Sequence, residues 1–419
     1  MSLARSTKFG INIDFERSHG MYVYDKNTDR EILDFFGMYA SLPLGYNHPI
    51  FKTPEFIDEY LRVSSLKINN CEFVSDETLE FDKMFTEYAG VDIYRNIHYS
   101  CTGALAVEAA IKACIRYKNF HRPKILSFHN SFHGINSYGG FITSRFTGAD
   151  KRLNGFPEVF SVKVDIDLHK VEDNLRNGDI TCLLVEPIQC SAGDIHHDKS
   201  FFKELRKLCD KYDVPLVFDE IQVGFGGTGK LWYFQHMDIE PDIVIASKCI
   251  TSGFFPLGAV ILGERMTQQM MDASYEAEEF FHGFTAGGHP VGCALALEAI
   301  DIIINEKMIE NVRRLEPIFM GGLKKFEELD HIGEARGVGL MGALEMVQDK
   351  KSKKSFDGSI SIGERVANKC IENGLICRPL GPSIVLCPPF ITSDDEMEII
   401  FDTLDKTLKK VFSEAKSLI

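Results

Sequence analysis

The chain has 419 residues, of which 44% are hydrophobic, and its 61 acidic against 46 basic residues give a net charge of −15. An acidic chain without a basic tail or cluster is not expected to bind nucleic acid, and the lack of a long apolar run argues against membrane insertion. The 11 cysteines are scattered and never spaced C-x-x-C, which indicates reduced thiols in a cytoplasmic protein rather than disulfides or a zinc ribbon.

Predicted strands and helices alternate through the first three quarters of the chain. Two strands about an Asn-Thr-Asp turn are predicted within 20–36, and the apolar periodicity of 102–120 predicts a helix. Short apolar segments bounded by turn residues predict strands: KILSFH (124–129), TCLLVEP (181–187), VPLVFDE (214–220), DIVIAS (242–247) and LGAVIL (257–262). Helical segments such as 199–213 separate several of them, so we expect an α/β fold with a mostly parallel sheet covered by helices.

The pattern changes after Glu306. Amphipathic helices and short strands are predicted there, at 311–329, 363–374, 339–347 and 383–390. They indicate a smaller α+β domain, which the N-terminal segment is expected to join. The expected organisation is an N-terminal segment of the small domain at 1–50, a large domain at 51–305 and the C-terminal small domain at 306–419.

The segment GFGGTG (224–229) follows a predicted strand and matches G-x-G-x-x-G, a dinucleotide-binding signature. That signature requires the loop to open a helix and an acidic residue to end the next strand. Here the next strand ends in Ser247-Lys248, and the acidic pair Asp219-Glu220 precedes the loop, where it would repel a pyrophosphate. A dehydrogenase is therefore not favoured.

Lys248 and Asp219 each stand at the carboxyl end of a predicted strand, where open parallel sheets place their ligands. A lone lysine there is most often solvated, but a lysine and a carboxylate together fit pyridoxal 5′-phosphate (PLP). The lysine would form a Schiff base with C4′, and the carboxylate would keep the ring nitrogen protonated. The pyridinium would then be the cation that a buried Asp219 requires.

The remaining parts of such a cofactor have candidate partners elsewhere in the chain. Thr102, Gly103 and Ala104 open a predicted helix, whose N-terminus suits a phosphate dianion. A simple threonine N-cap is the alternative interpretation of that segment. Phe132 could stack on the pyridine ring, although a phenylalanine taken alone is more often a core residue.

With these motifs the chain resembles the class III, or ω-, aminotransferases of the fold-type I PLP-dependent superfamily. FDEIQVGFGGTG (218–229) resembles the family's D-E-[VI]-Q-x-G-x-G-R-x-G, with Gly227 where an arginine is usual. The segments FHG, VEPIQ, PDIVIASK, HGFTAGGHPVGCALALEAI and CPPFIT occur in family order. The resemblance implies a large domain with a mostly parallel seven-stranded sheet flanked by helices, a smaller α+β domain, and a homodimer with shared active sites.

The resemblance also implies a role for each motif residue. Lys248 would attach the cofactor, Asp219 would pair with the pyridinium, and Ile221 would pack behind the ring, opposite Phe132. Further roles are implied as follows: Gln222 on the ring hydroxyl, Gly103 and Ala104 on the phosphate, Thr285 on the phosphate from the partner subunit, Glu186 and His133 lining the site, and Glu220 as structural support.

Within the class the chain resembles lysine 6-aminotransferases most, through segments 18–49 and GALAVE (103–108). Leu105 stands where most relatives have glutamate. Three further positions depart from family patterns for substrate binding: Ser191 replaces an acid, Val385 replaces the arginine that pairs with that acid, and Ile135 replaces the arginine of the lysine enzymes. Arg378 lies in GLICRPLGPSIVLCPP (374–389), which resembles the diaminopelargonate aminotransferases, and it is the candidate for binding a substrate carboxylate.

The predicted activity is ping-pong transfer of an ω-amino group, from lysine or a similar donor, to an oxo acid. Alternatives within the superfamily are transfer to another carbonyl substrate, of diaminopelargonate or diaminobutyrate type, and an aminomutase or racemase. A metal hydrolase built on the adjacent residues His196, His197 and Asp198 is the alternative from another class. Adjacent side chains rarely converge on one metal, so no metal is expected.

Overall fold

The computed structural model describes residues 9–66, 73–120, 122–144, 160–268, 280 and 282–415. These residues belong to two compact units. One lies within Met1–Ile57, Gly227–Gly229 and Ile303–Ile419, and the other within Asp58–Gly226 and Lys230–Ile302. The domain boundaries expected at 50/51 and 305/306 stay a prediction.

The larger unit contains a seven-stranded sheet. Its strands, in spatial order, are Asn96–Ser100, Gly258–Leu262, Ile243–Ala246, Leu216–Asp219, Ile180–Val185, Lys124–Phe128 and Phe160–Val164. Only Gly258–Leu262 runs antiparallel to its two neighbours, whereas the other pairs are parallel. The expected mostly parallel α/β sheet is thus confirmed.

Helices surround this sheet in sequence. They are Asp76–Ala89, Gly103–Lys118, Ser137–Ile142, Leu168–Leu175 and Lys199–Lys211. Two more helices, Pro54–Ser64 and Pro290–Asn305, contain the unit boundaries at 57/58 and 302/303. A two-stranded ribbon pairs Ile188–Gln189 with Ile195–His196. Within the described residues, no helix combines the length and apolarity that crossing a bilayer requires.

The sheet is buried because both of its faces carry apolar side chains. All six residues of Ile180–Val185 are buried, which is typical of a parallel strand covered on both sides. The helix Gly103–Lys118 packs onto the sheet through alanines such as Ala106, Ala110 and Ala113, in one cluster with Val217 and Ile245. Small side chains let this helix lie close to the strands, which holds its N-terminus at the carboxyl edge of the sheet.

The described part of the smaller unit contains two sheets and three helices of more than ten residues. One sheet has the order Ile13–His19, Tyr22–Asp25, Arg30–Asp34 and Leu375–Ile376, and its hairpin matches the one predicted within 20–36. The other has the order Ile332–Val338, Met341–Asp349, Ser383–Leu386 and Arg378–Leu380, with Lys354–Ser355 paired to its second strand. The helices are Met308–Lys325, Ile362–Glu372 and Asp394–Ala415.

A left-handed turn, Gly37–Ala40, follows the strand Arg30–Asp34. Its four residues have φ of 56°, 48°, 67° and 57°. Gly37 must be glycine, since a Cβ there would lie 2.6 Å from the carbonyl oxygen of Cys387. Each of the other three residues costs roughly 1–2 kcal/mol in this conformation, because its Cβ crowds the following carbonyl oxygen.

Candidate active site

A pocket of about 340 Å³ lies in the larger unit, at the carboxyl ends of the strands Leu216–Asp219 and Ile243–Ala246. This is where open parallel sheets place ligands. Its described lining residues are Gly103, Ala104, Phe132, Gly134, Ile135, Glu186, Ile188, Ser191, Asp219, Ile221, Gln222, Val223, Ser247 and Lys248. The structure therefore brings together eight residues predicted for the cofactor: Gly103, Ala104, Phe132, Glu186, Asp219, Ile221, Gln222 and Lys248.

Lys248 follows the strand Ile243–Ala246 and opens a short 3-10 turn, Lys248–Thr251. Its φ of 41° is left-handed, a strained conformation that clusters at functional sites. Its Nζ donates a hydrogen bond to Oε1 of Gln222 at 2.8 Å. Burial lowers the pKa of Lys248, and the effect is opposed by nearby groups that include Cys190 and Asp219. A lowered pKa increases the fraction of neutral amine, which is the nucleophilic form.

Asp219 is 6% exposed and makes two hydrogen bonds. Its Oδ2 lies 2.8 Å from Nδ1 of His133, and its Oδ1 accepts from the backbone N–H of Ile221 at 3.2 Å. Nε2 of His133 is buried without a hydrogen-bond partner among the described residues. Because a carboxylate oxygen only accepts, Nδ1–H of His133 is the donor in this hydrogen bond.

Two apolar side chains, Phe132 and Ile221, line the pocket next to this carboxylate. The backbone N–H of Phe132 donates to Oε1 of Glu186 at 2.7 Å, which fixes the loop that carries the ring. A flat aromatic cofactor would meet an aromatic ring and a branched aliphatic side chain here, and both suit its apolar faces.

The N-terminus of the helix Gly103–Lys118 also lines the pocket. Thr102 is its N-cap, and the hydroxyl of Thr102 accepts from the backbone N–H of Leu105 at 3.3 Å. Thr102 itself does not line the pocket, whereas Gly103 and Ala104 do. A Cβ at Gly103 would lie 2.9 Å from Cδ1 of Ile221 and 3.1 Å from Cβ of Ser247, so a side chain here would have to displace Ile221. The unpaired N–H groups of a first helical turn suit a phosphate.

These residues fit PLP: a helix N-terminus for its phosphate, a buried carboxylate for its ring nitrogen and a half-buried lysine for its aldehyde. His133 was expected to line the site, but it contacts Asp219 and is absent from the pocket lining. Thr285 is exposed in the turn 285–288 and is absent from the lining, so its predicted phosphate contact in a partner subunit stays a prediction.

Glu220 is 1% exposed and is directed away from the pocket lining. Its two carboxylate oxygens accept from the backbone N–H groups of Tyr233 and Phe234, at 2.6 Å and 2.9 Å. Burial raises the pKa of Glu220 to about 8. These contacts support the structural role expected for Glu220.

The sequence patterns did not single out Gly134, Ile188, Val223 and Ser247, which also line the pocket. Ser247 precedes Lys248, and its hydroxyl donates to the carbonyl of Leu257 at 2.7 Å. Ile188 follows Glu186 by two residues, so strand alternation would have placed both side chains on the same face. Three departures from family patterns lie in the larger unit, at Leu105, Ile135 and Ser191. Ile135 and Ser191 line the pocket.

The metal alternative has no geometric support. His196 contacts Asp194, His197 contacts Gln189, and Asp198 caps the helix Lys199–Lys211, so the three adjacent side chains diverge. No group of three or more His, Cys, Asp or Glu residues converges on a metal position within the described residues. The glycine-rich segment after Glu220 leads into turns rather than a helix, unlike a dinucleotide-binding loop.

Comparison with known proteins shows the family of this chain. The family model "Aminotransferase class-III" matches residues 4–408. The chain is 34% identical to an aminotransferase from Vibrio fluvialis, solved in its PMP-bound form, with a TM-score of 0.88 over 99% of this chain and 96% of that one. It is 33% identical to an omega-aminotransferase from Paracoccus denitrificans, with a TM-score of 0.88 over 99% and 97% of the two chains.

A sequence relative adds a third comparison. The chain is 29% identical to the adenosylmethionine-8-amino-7-oxononanoate aminotransferase of Staphylococcus aureus, over 96% of this chain and 91% of that protein. The match to the family model covers nearly the whole chain, and the fold and cofactor predictions are confirmed by it and by the solved structures. The chain belongs to the class III aminotransferases and is a PLP-dependent enzyme.

Proposed function

We propose that this enzyme takes the terminal (ω) amino group of lysine or a similar donor and passes it to an oxo acid. The observation that carries the proposal is the chemistry of the pocket lining. Among the described lining residues Lys248 is the only cation, and the positions expected to carry substrate-binding charge hold Ile135 and Ser191. An α-amino acid, like the oxo acid that accepts the amino group, presents a carboxylate beside the reacting carbon, and that carboxylate would require a further cation that the described lining does not supply. A terminal amine has no charge at that place.

In this proposal the cofactor and the chain's own residues divide the chemistry between them. PLP supplies an electron-withdrawing ring that stabilises negative charge on the substrate carbon. Asp219, oriented by His133, holds the proton on the ring nitrogen. Nζ of Lys248 removes the proton from the donor carbon, and the lowered pKa of Lys248 favours the neutral form that this step requires. Gly103 and Ala104 hold the phosphate.

Arg378 is the proposed partner for a substrate carboxylate. Its guanidinium lies 4.9 Å, 5.6 Å and 6.0 Å from the ring centroids of Tyr39, Phe36 and Phe9. Its Nε is buried without a hydrogen-bond partner, and no carboxylate among the described residues forms an ion pair with it. A half-buried arginine without an anion is available to a carboxylate ligand. Arg378 is the strand partner of Val385. The arginine that Val385 replaces would therefore stand beside Arg378 in the sheet.

Arg378 also favours a second candidate, in which another amino-acid-derived carbonyl accepts the amino group. Its RPLG segment resembles the diaminopelargonate aminotransferases, and the S. aureus relative has that activity in its name. We also propose a homodimer, in which Thr285 contacts the partner's phosphate, and a cytoplasmic location. The ten cysteines within the described residues are all free thiols, which is compatible with that compartment.

Three amino donors, lysine, cadaverine and L-alanine, test the main proposal. Cadaverine is lysine without its carboxylate, and L-alanine offers only an α-amino group. The PLP-loaded enzyme is mixed with each donor alone, and loss of the absorbance of the lysine-bound cofactor is measured. Lysine and cadaverine should react, and L-alanine should react at least about tenfold more slowly. With ε-15N-lysine and a reactive oxo acid, the 15N should appear in the new amino acid.

Two substitutions at Ile135 sharpen the test. Ile135 is 67% exposed at the edge of the pocket, so a longer side chain can be accommodated there. Ile135→Arg should increase the rates with lysine and L-alanine, which carry a carboxylate, but not the rate with cadaverine, and the uncharged Ile135→Gln is its control. Equal rates for L-alanine and cadaverine in the unmodified enzyme would contradict the preference for terminal amines.

A further inference from the structure

The turn Gly37–Ala40 is a left-handed helical turn in which three of the four residues have a Cβ. Consecutive left-handed residues are rare because each non-glycine residue is strained. Such strain persists only where the surrounding structure fixes it, and it is concentrated at functional positions. The question is therefore what fixes this turn and what it positions.

Asp34 fixes the start of the turn from within the core. It is 2% exposed, and its Oδ1 accepts from the backbone N–H groups of Phe36 and Gly37, both at 2.9 Å. Its Oδ2 accepts from the hydroxyl of Tyr46 at 2.7 Å. At the end of the turn the backbone N–H of Ser41 donates to the carbonyl of Gly37 at 2.8 Å. The turn is thus held at both ends by hydrogen bonds.

The turn places the ring of Tyr39 beside a cation. Tyr39 is 48% exposed, and its ring centroid lies 4.9 Å from Cζ of Arg378. Phe36, which precedes the turn, contacts the same guanidinium at 5.6 Å. The two rings restrict the guanidinium, while no carboxylate of the described residues neutralises it. An extended backbone at 37–40 would separate Tyr39 from Arg378.

We propose that the left-handed turn Gly37–Ala40 is a positioning element, which holds Tyr39 against Arg378 and so orders the guanidinium before a carboxylate binds. The inference rests on the proposed role of Arg378 in binding the substrate carboxylate. Ordering the side chain in advance removes part of the entropy that binding would otherwise cost. Tyr39 acts through Arg378, so it is a positioning residue and not a catalytic one.

A double-mutant cycle tests the inference with pyruvate, which has a carboxylate, and butanal, which has none. Tyr39→Ala should raise the KM for pyruvate roughly three- to tenfold, as expected from loss of a cation–π contact. Its KM for butanal should not change, and Tyr39→Phe should restore the KM for pyruvate because it keeps the ring. In an Arg378→Ala background, Tyr39→Ala should have no further effect.

The backbone is tested separately. Gly37→Ala disturbs the turn, because its Cβ would lie 2.6 Å from the carbonyl oxygen of Cys387, and the matched control Gly178→Ala introduces a side chain at an exposed left-handed glycine with open space around it. Both variants should lower Tm, but only Gly37→Ala should also raise the KM for pyruvate. An unchanged KM in Tyr39→Ala and Gly37→Ala, with a raised KM in Arg378→Ala, would overturn the inference alone. An unchanged KM in Arg378→Ala would instead overturn the proposed role of Arg378.

Discussion

Replacing Asp219 by asparagine should slow the half-reaction with an amine donor by a factor of roughly 100 to 5,000. Asparagine has nearly the same shape, and its amide oxygen can still accept from Nδ1 of His133, which lies 2.8 Å from Oδ2 in the unmodified chain. What is lost is the negative charge that keeps the ring nitrogen protonated. Removing one partner of a buried ion pair costs about 3–5 kcal/mol, and each 1.36 kcal/mol is a tenfold change in rate.

The assay is the single-turnover loss of cofactor absorbance after mixing with cadaverine, measured on protein whose circular dichroism matches that of the unmodified enzyme. Glu220→Gln is the matched control. Glu220 is the adjacent carboxylate and is equally buried, but its oxygens accept from the backbone N–H groups of Tyr233 and Phe234. It should lower Tm and leave the single-turnover rate within about threefold of the unmodified value.

A chemical rescue separates charge from structure. A cofactor methylated at its ring nitrogen carries a permanent positive charge, so it should restore much of the rate in Asp219→Asn. A near-normal rate in Asp219→Asn with ordinary PLP would refute the proton-holding role of Asp219. So would equal slowing by Glu220→Gln, because the effect would then follow from any change to a buried carboxyl group at this edge of the sheet.

Three further predictions concern pH, the phosphate cradle and assembly. Burial raises the pKa of Glu220 from 4.5 to about 8 in the folded state, so the stability of the protein should fall as pH rises from about 4.5 to 8. The Tm of Glu220→Gln should decline less over that range. Parallel curves of Tm against pH for the two proteins would contradict this prediction. Gly103→Ala should weaken PLP binding at least about tenfold, because its Cβ would lie 2.9 Å from Cδ1 of Ile221. Gly321→Ala is the control, because a Cβ there has open space around it. Equal dissociation constants for PLP in the two variants would exclude a close fit of the cofactor against Gly103. Thr285→Ala should raise the dissociation constant for PLP about tenfold or more while sedimentation still shows a dimer; a fully active monomer at assay concentration would rule out the shared site.

Much of the fold could be predicted because its signals are local. The strand at 214–220 and the helix at 102–120 follow from apolar patterns, and the carboxyl ends of parallel strands necessarily meet at one edge of the sheet. The sequence alone therefore predicts that Lys248 and Asp219 lie close together, and both line one pocket. The class of enzyme and its cofactor followed from that pair together with the motif order.

The rest depends on contacts that no local pattern contains. The hydrogen bond between His133 and Asp219 joins residues 86 positions apart, and the partner of Nδ1 cannot be deduced from the motif FHG. The left-handed turn at Gly37–Ala40 has a single glycine, so its conformation is set by Asp34 and Tyr46 rather than by local preference. No motif specifies the amino donor, because Ile135 and Ser191 show only that an arginine and an acidic residue of the family patterns are absent.

The most direct test of the central claim is to identify the residue that carries the cofactor. The PLP-loaded enzyme is reduced with borohydride, digested and analysed by mass spectrometry. The pyridoxyl label should lie on Lys248 alone, and Lys248→Ala should bind PLP without becoming labelled and without turning over any donor. A label on another lysine, or turnover by Lys248→Ala at more than about one per cent of the normal rate, would contradict the assignment of this active site.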